Sequence, residues 1–77
     1  MPHVIVKLYP GRSEELKKRL AQAITQDVVD IIQCDEKFVS IAFEEIDPDQ
    51  WPERVYKPDI LVKRRHLYKE PGYNPFE

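Results

Sequence analysis

The chain has 77 residues, with 12 basic and 14 acidic side chains and a formal net charge of −2, a near-balance that argues against general nucleic-acid binding. Because Cys34 is the only cysteine, the chain has no intrachain disulfide. With one cysteine and two histidines, it offers too few of the usual ligands for a structural zinc site. A chain this short forms one domain, here residues 1–77, and we expect it to gain stability from self-association.

The first predicted element is a β-strand over residues 3–9. Apolar side chains occur on both of its faces, which predicts cover on both sides. Pro10-Gly11 then breaks the strand. One face carries Val4, Val6 and Leu8, and the other carries His3, Ile5, Lys7 and Tyr9.

A long amphipathic helix is predicted next, over residues 14–33, with a length of about 30 Å. Ser13 is a suitable N-cap, and Glu14 and Glu15 place negative charge in the first turn. Apolar residues then recur at steps of three or four, which predicts one buried stripe. The stripe comprises Leu16, Leu20, Ile24, Val28 and Ile31, whereas Lys17, Lys18, Gln22, Gln26 and Asp30 are predicted to face solvent.

A second strand is predicted over residues 38–46, where apolar and small or polar residues alternate. The long helical connection makes the two strands parallel, joined by a right-handed crossover. Two strands alone leave exposed edges and an uncovered face, so a second copy of the unit is expected to complete the sheet. The predicted fold class is therefore α+β, a single β-α-β unit followed by a C-terminal helix.

The C-terminal part is predicted to contain a turn-rich connector over residues 47–52 and a second helix over residues 58–69. Pro58 suits the first turn of that helix, and Pro71-Gly72 ends it. Residues 73–77 are expected to form a tail. The predicted inner side of the helix comprises Ile60, Leu61, Arg64, Leu67 and Tyr68.

Pro2 is the candidate catalytic residue. An initiator Met followed by a small residue such as proline is normally removed, so we expect the mature chain to begin at Pro2. Its nitrogen is then a free secondary amine on the first residue of an apolar strand. Such an amine exchanges protons near neutral pH if its surroundings disfavour the cation.

These features together resemble the 4-oxalocrotonate tautomerase superfamily over essentially the whole chain. They are Pro2 at the start of a strand, Gly11-Arg12-Ser13 before a long helix, and Trp51 after the second strand. The segment 69–73, Lys-Glu-Pro-Gly-Tyr, is most similar to the small dimeric bacterial tautomerases of the para-phenylpyruvate type. The resemblance implies a cofactor-independent tautomerase for small 2-keto or enol acids. It also implies a pocket shared within a homodimer, with a trimer of dimers as the alternative assembly.

The resemblance assigns a role to each of four residues. Pro2 matches the family's proton-transferring nitrogen, and Arg12 matches an arginine that holds a substrate carboxylate. Trp51 occupies the place of a phenylalanine that forms the apolar wall of the pocket. Ser40 stands where the best-known members carry a second arginine that polarises the substrate carbonyl. Since serine brings no charge, the family's dicarboxylate reference substrate is not the expected one.

Each of these residues also has a structural alternative. The alternative for Arg12 is an exposed residue before the helix N-cap, without a role in binding. The alternative for Trp51 is a side chain that anchors the core of a small domain. His3 is adjacent to Pro2, and a packed or solvated ring is favoured over one that orients the amine. Cys34 has no neighbour that would activate it, so an inert thiol is expected.

Further hypotheses follow from the sequence. Ser40 is compatible with a non-catalytic oligomeric module on the same scaffold. A dehalogenase or hydratase would use the terminal proline together with Glu44 or Asp47 to activate water. The basic residues 63–66 suggest a nucleic-acid hypothesis, but a solvated face, or a cationic pocket wall from a partner subunit, is favoured. A separate hypothesis is that Arg64 or Arg65 supplies the charge that Ser40 lacks.

The expected location is the cytoplasm, with no membrane and no nucleic acid as partner. No apolar run approaches 18 residues, and the N-terminus lacks a basic segment followed by an apolar one. A single unpaired cysteine fits a reducing compartment.

Overall fold

The computed structural model describes all 77 residues, and the chain divides into two compact units, residues 1–45 and residues 46–77. The first unit contains strand β1 (His3–Leu8), helix α1 (Glu14–Val28) and strand β2 (Ser40–Glu45). The two strands pair in parallel, so the predicted β-α-β unit is confirmed. No helix in the chain combines the length and the hydropathy that a bilayer span requires.

The register of the sheet gives it one covered face and one open face. His3 lies opposite Ser40 at one end of the pair, and Leu8 lies opposite Glu45 at the other. Helix α1 packs on the face that contains Ile41 and Phe43. Within residues 1–45, helix α1 covers only one face of the sheet, and the open face suits completion by a second copy. That open face carries His3, Ile5, Lys7, Ser40, Ala42 and Glu44.

Helix α1 begins as predicted. The Ser13 side chain accepts a hydrogen bond from the Leu16 amide at 3.2 Å, and Glu14 and Glu15 occupy the first turn. The helical path continues to Gln33, also as predicted, but its last five residues, Val29–Gln33, form a π-helical turn. Gln33 ends this turn with a φ of 63°, in the left-handed region that favours glycine.

Lys17 was predicted to face solvent, and this was wrong. Its side chain is only 13% exposed, and Nζ lies 2.8 Å from Glu14 Oε1 and 3.3 Å from Glu45 Oε1. The hydrogen bond with Glu14 is the main cause that raises the pKa of Lys17, and the same contact lowers the pKa of Glu14. Lys17 therefore joins the start of α1 to the end of β2 as a compensated cation.

The predicted apolar stripe of α1 is only partly covered. Leu16 and Leu20 remain 49% and 44% exposed, and Ile31 is 77% exposed. Lys17 and Ala21, in the first two turns, line a surface groove together with Ile41 and Phe43. Because no residue of the first unit is fully buried, this unit leaves much apolar surface for a partner to cover.

The second unit departs from the predicted C-terminal helix. A short 3₁₀ turn, Pro48–Gln50, leads into a π-helical segment, Pro52–Leu61, and a second 3₁₀ turn covers Arg64–His66. The predicted helix over residues 58–69 was thus misplaced, because Pro52 occupies the first turn and Pro58 lies inside. Proline in an α-helix clashes with the carbonyl four residues earlier, whereas π-helical bonding shifts the acceptor by one residue.

The buried side chains belong to residues of this second unit. Ile46, Val55 and Tyr56 are 2%, 5% and 5% exposed, respectively. Val55 and Tyr56 lie in adjacent positions of the π-helical segment. They make this segment the best-packed element of the chain.

Candidate functional site

Pro2 and Ser40 lie together at one end of the sheet. The Ser40 amide donates a hydrogen bond to the Pro2 carbonyl at 3.2 Å, just before the paired strands begin. Pro2 is half-buried, whereas Met1, which precedes it, is 97% exposed. The structure therefore brings together two of the four predicted site residues through the strand register.

His3 is the third residue at this end of the sheet. Its ring is exposed, and Nδ1 lies 2.6 Å from the Ser40 hydroxyl oxygen. Directly opposed residues on paired strands point to the same face, which explains how the two side chains meet. The sequence alone did not reveal this pair, because the contact depends on the exact register.

Arg12 lies in the connection between β1 and α1. Gly11 has a φ of 120°, a conformation that side chains rarely adopt, and it turns the chain immediately before Arg12. Arg12 is exposed and has no ion-pair partner within the chain. It lines a surface groove of about 250 Å³, whose other lining residues are Leu8, Leu16, Lys17 and Leu20.

The composition of this groove suits an apolar anion. Its leucine side chains supply apolar contact, and two cationic side chains border them. Lys17 is already compensated by Glu14 and Glu45. Arg12 is thus the cation in the groove whose charge is free to meet a carboxylate.

The structure does not bring Arg12 and Pro2 together within one chain. Pro2 precedes β1 and Arg12 follows it, with all of His3–Leu8 between them. Six residues of extended strand span about 20 Å. We therefore expect Pro2 and Arg12 of the same chain to lie too far apart for one small substrate to touch both.

Trp51 belongs to the second unit, where its indole is held by the C-terminal tail. The indole Nε1 donates to the Tyr73 hydroxyl at 2.8 Å. The Tyr56 hydroxyl donates to the Tyr73 carbonyl at 3.0 Å, and the two tyrosine rings lie 5.4 Å apart. Phe76 adds an edge-on contact to Tyr56, with ring centroids 6.0 Å apart.

The contact of Tyr73 with Trp51 was not predicted from the sequence, where Tyr73 was only the last residue of the 69–73 segment and the first of the predicted tail. The available signal was the pair of aromatic residues, Tyr73 and Phe76, just after Pro71-Gly72. Aromatic side chains in a short terminal segment favour docking over a solvated end. Their partners, however, became identifiable only with the fold.

Tyr73→Phe is expected to remove the hydrogen bond to the Trp51 indole while keeping the ring contact with Tyr56. Trp51 is the only tryptophan, so intrinsic fluorescence reports on it directly. We expect a red-shifted emission that acrylamide quenches more strongly, and a loss of about 0.5–1.5 kcal/mol in the free energy of unfolding. Tyr68→Phe is the matched control, because the Tyr68 side chain is fully exposed. An unchanged emission spectrum in Tyr73→Phe would show that the hydrogen bond does not orient Trp51.

Two of the basic residues near the C-terminus form ion pairs. Arg64 Nε lies 3.0 Å from Glu70 Oε1, and Lys63 Nζ lies 4.0 Å from Asp59 Oδ1. Arg65 Nε contacts the His66 ring at 3.4 Å. These contacts favour the solvated-face interpretation, since the charge of Arg64 is compensated rather than free for a substrate.

Comparisons with known proteins agree on one kind of relative. A family model described as "Tautomerase enzyme" matches residues 2–52, which include Pro2, Arg12, Ser40 and Trp51. A "Probable tautomerase" of Xylella fastidiosa (strain 9a5c) is 41% identical over 73 residues, covering 95% of this chain and 89% of that protein. "Tautomerase PptA" of Pectobacterium carotovorum subsp. carotovorum (strain PC1) is 39% identical over 75 residues, with coverages of 96% and 99%.

Solved structures show the same likeness. YwhB, a homologue of 4-oxalocrotonate tautomerase, is 31% identical with a TM-score of 0.61, over 62% of this chain and 79% of that one. TomN, a 4-oxalocrotonate tautomerase homologue in the tomaymycin biosynthetic pathway, is 28% identical with a TM-score of 0.63. That match covers 65% of this chain and 77% of the TomN chain.

Proposed function

This chain belongs to the 4-oxalocrotonate tautomerase superfamily, and from that membership we propose a specific reaction for it. The proposed reaction is the cofactor-independent interconversion of keto and enol forms of small 2-keto acids. The family and its named relatives support tautomerase activity in general. The substrate class, the catalytic base and the assembly are the proposed refinements.

Pro2 is the proposed general base and acid, once Met1 has been removed. The observation that carries this role is the position of Pro2, half-buried at the start of β1 and tied to Ser40 by its carbonyl. Exposed Met1 is accessible for removal. The freed amine takes a proton from the carbon next to the substrate carbonyl and delivers it to the enolate oxygen, and the reverse transfer forms the keto acid.

Arg12 is proposed to hold the substrate carboxylate and to stabilise the charge of the enolate. A permanently protonated guanidinium offers two parallel hydrogen bonds to a carboxylate, which orients the substrate against the base. Trp51 is proposed as the apolar wall of the pocket, with its indole fixed by Tyr73. Ser40 is the fourth proposed site residue: its amide bonds to the Pro2 carbonyl, and its side chain brings no charge to the pocket.

The pocket is proposed to form between subunits, because about 20 Å of strand separates Pro2 from Arg12 in one chain. A partner copy that runs in the opposite direction would bring its own Arg12 towards Pro2 of the first. The open face of the sheet and the half-exposed leucines of α1 provide apolar surface for such a partner. A homodimer is the simplest assembly, and a trimer of dimers would use the same pairing.

A substrate panel tests this function against the alternative chemistries of the scaffold. The protein is first checked by mass for loss of Met1, then assayed with phenylenolpyruvate, an enol dicarboxylate and halo-acrylates. We expect rapid ketonisation of phenylenolpyruvate, weaker turnover of the dicarboxylate, and no release of halide. Halide release as the main activity would assign a dehalogenase, and no turnover of any substrate would assign a non-catalytic module.

A further inference from the structure

We propose that His3 and Ser40 form a clamp that positions Pro2 for proton transfer. The His3–Ser40 clamp consists of the hydrogen bond between the imidazole and the serine hydroxyl, together with the bond from the Ser40 amide to the Pro2 carbonyl. The inference rests on the proposed role of Pro2 as the base. It makes Ser40 and His3 positioning residues, which act on the reaction through Pro2.

The clamp lies where the strand pair most needs support. The first residues of a chain are poorly ordered unless something ties them down. Ser40 is the first residue of β2, and it holds two consecutive residues of the opposing chain end. One bond comes from its amide at 3.2 Å, and the other involves its hydroxyl at 2.6 Å.

A hydroxyl is well suited to hold a histidine at this position. It accepts a hydrogen bond from a protonated Nδ1 and donates one to an unprotonated Nδ1. The bond with His3 therefore persists in either state of the imidazole. An arginine at position 40 would instead place a second cation directly opposite the ring, which is unfavourable when the ring is charged.

The catalytic consequence concerns turnover more than substrate binding. The reactive nitrogen of Pro2 lies in the residue immediately before His3, so rotation or fraying at His3 displaces it. When a base is displaced by up to about 1 Å, it loses much of the rate enhancement that correct orientation provides. Loss of the clamp should thus lower kcat, whereas loss of a direct substrate contact would chiefly raise KM.

A double-mutant cycle on the Met1-free protein tests the clamp. We expect Ser40→Ala and His3→Phe each to lower kcat for phenylenolpyruvate by about 5–20-fold, with KM changed less than about twofold. The double variant should be no slower than the slower single variant, because both remove the same bond. Ser40→Thr keeps the hydroxyl and should retain most of the activity.

Thr25→Val is the matched control for the loss of a hydroxyl. The Thr25 hydroxyl donates to the Ala21 carbonyl at 2.8 Å within α1, so its removal leaves the clamp intact. We expect kcat of this variant to stay within about twofold of the parent. Additive effects of His3→Phe and Ser40→Ala, or a rise in KM without loss of kcat, would overturn the clamp and make Ser40 a direct substrate contact.

Amide hydrogen exchange provides a readout that does not depend on turnover. The His3→Phe variant leaves Ser40 unchanged. The Ser40 amide donates to the Pro2 carbonyl, and we expect it to exchange about tenfold faster in this variant than in the parent protein. The amide of Ala42, further along the same strand, serves as the internal control. Unchanged exchange at residue 40 would overturn the clamp even if Pro2 is the base, whereas full activity of Pro2→Ala would refute the base itself.

Discussion

Pro2→Ala is expected to lower the turnover of phenylenolpyruvate by at least about a hundredfold, within the range that a general base contributes. Alanine also permits removal of Met1, but it leaves a primary amine that is free to rotate. The ring of Pro2 holds its nitrogen in one direction, and the Ser40 amide holds its carbonyl. Steady-state kinetics on protein of verified mass, with circular dichroism to confirm an unchanged fold, measures the effect.

A chain that keeps every side chain but blocks the nitrogen is the sharper control for Pro2. Insertion of one leucine between Met1 and Pro2 prevents removal of the first residue, because the residue after the initiator is then large. The nitrogen of Pro2 stays in a tertiary amide, which has no basic lone pair, and we expect no measurable turnover. Full activity of this extended protein would show that the Pro2 nitrogen is not the base.

The β-α-β unit was predictable because local patterns and tertiary packing agree in this part of the chain. The alternation of side chains in residues 3–9 favours a strand, and the apolar stripe that begins at Leu16 favours a helix. Ser13 marks the start of α1. The burial of Lys17 was not predicted, because the periodicity of the helix gives no information about Glu45. Glu45 lies at the end of β2 and pairs with Lys17 only in the folded chain. An interaction between distant residues overrode a local assignment.

The second unit was harder to predict because proline has more than one acceptable position. Pro58 fits the first turn of a helix, but Pro52 fits it equally well, and only Pro52 occupies it here. The π-helical bonding of this segment tolerates the interior proline, as the Val62 amide bonds to the Lys57 carbonyl at 3.0 Å. Burial of Val55 and Tyr56 favours a helix that begins at Pro52, and no local sequence pattern predicts that burial.

For the candidate site, the residues were predicted from the sequence, and their spatial grouping became known only with the fold. Pro2, Arg12, Ser40 and Trp51 were identified from the resemblance to a family. The contact of Ser40 with His3 follows from the strand register, and the contact of Trp51 with Tyr73 follows from docking of the tail. The separation of Pro2 from Arg12 by the full length of β1 follows from the fold, and it has the largest consequence for mechanism.

Arg12→Ala is expected to lower kcat/KM for carboxylate substrates by about 10–100-fold, which corresponds to the loss of a charge-assisted hydrogen-bonded contact. Arg12→Lys should recover only part of this loss, because an ammonium group does not reproduce the bidentate geometry. Arg12 is exposed and has no ion-pair partner in the chain, so neither change should disturb folding. Steady-state kinetics with phenylenolpyruvate, and with an enol that lacks the carboxylate as control, measures the effect. An equal loss with the control enol would show that Arg12 does not bind the carboxylate.

Complementation between two inactive chains distinguishes an arginine supplied by the partner from one supplied by the same chain. Pro2→Ala and Arg12→Ala chains are unfolded together, mixed in equal amounts and refolded. If Arg12 of the partner subunit serves each Pro2, every mixed dimer contains one complete site, because one chain keeps Pro2 and the other keeps Arg12. With random pairing, half of the dimers are mixed, so activity should return to about one quarter of the parent value. If Pro2 and Arg12 of the same chain formed the site, no complete site would arise in any dimer, and the mixture would be no more active than its components.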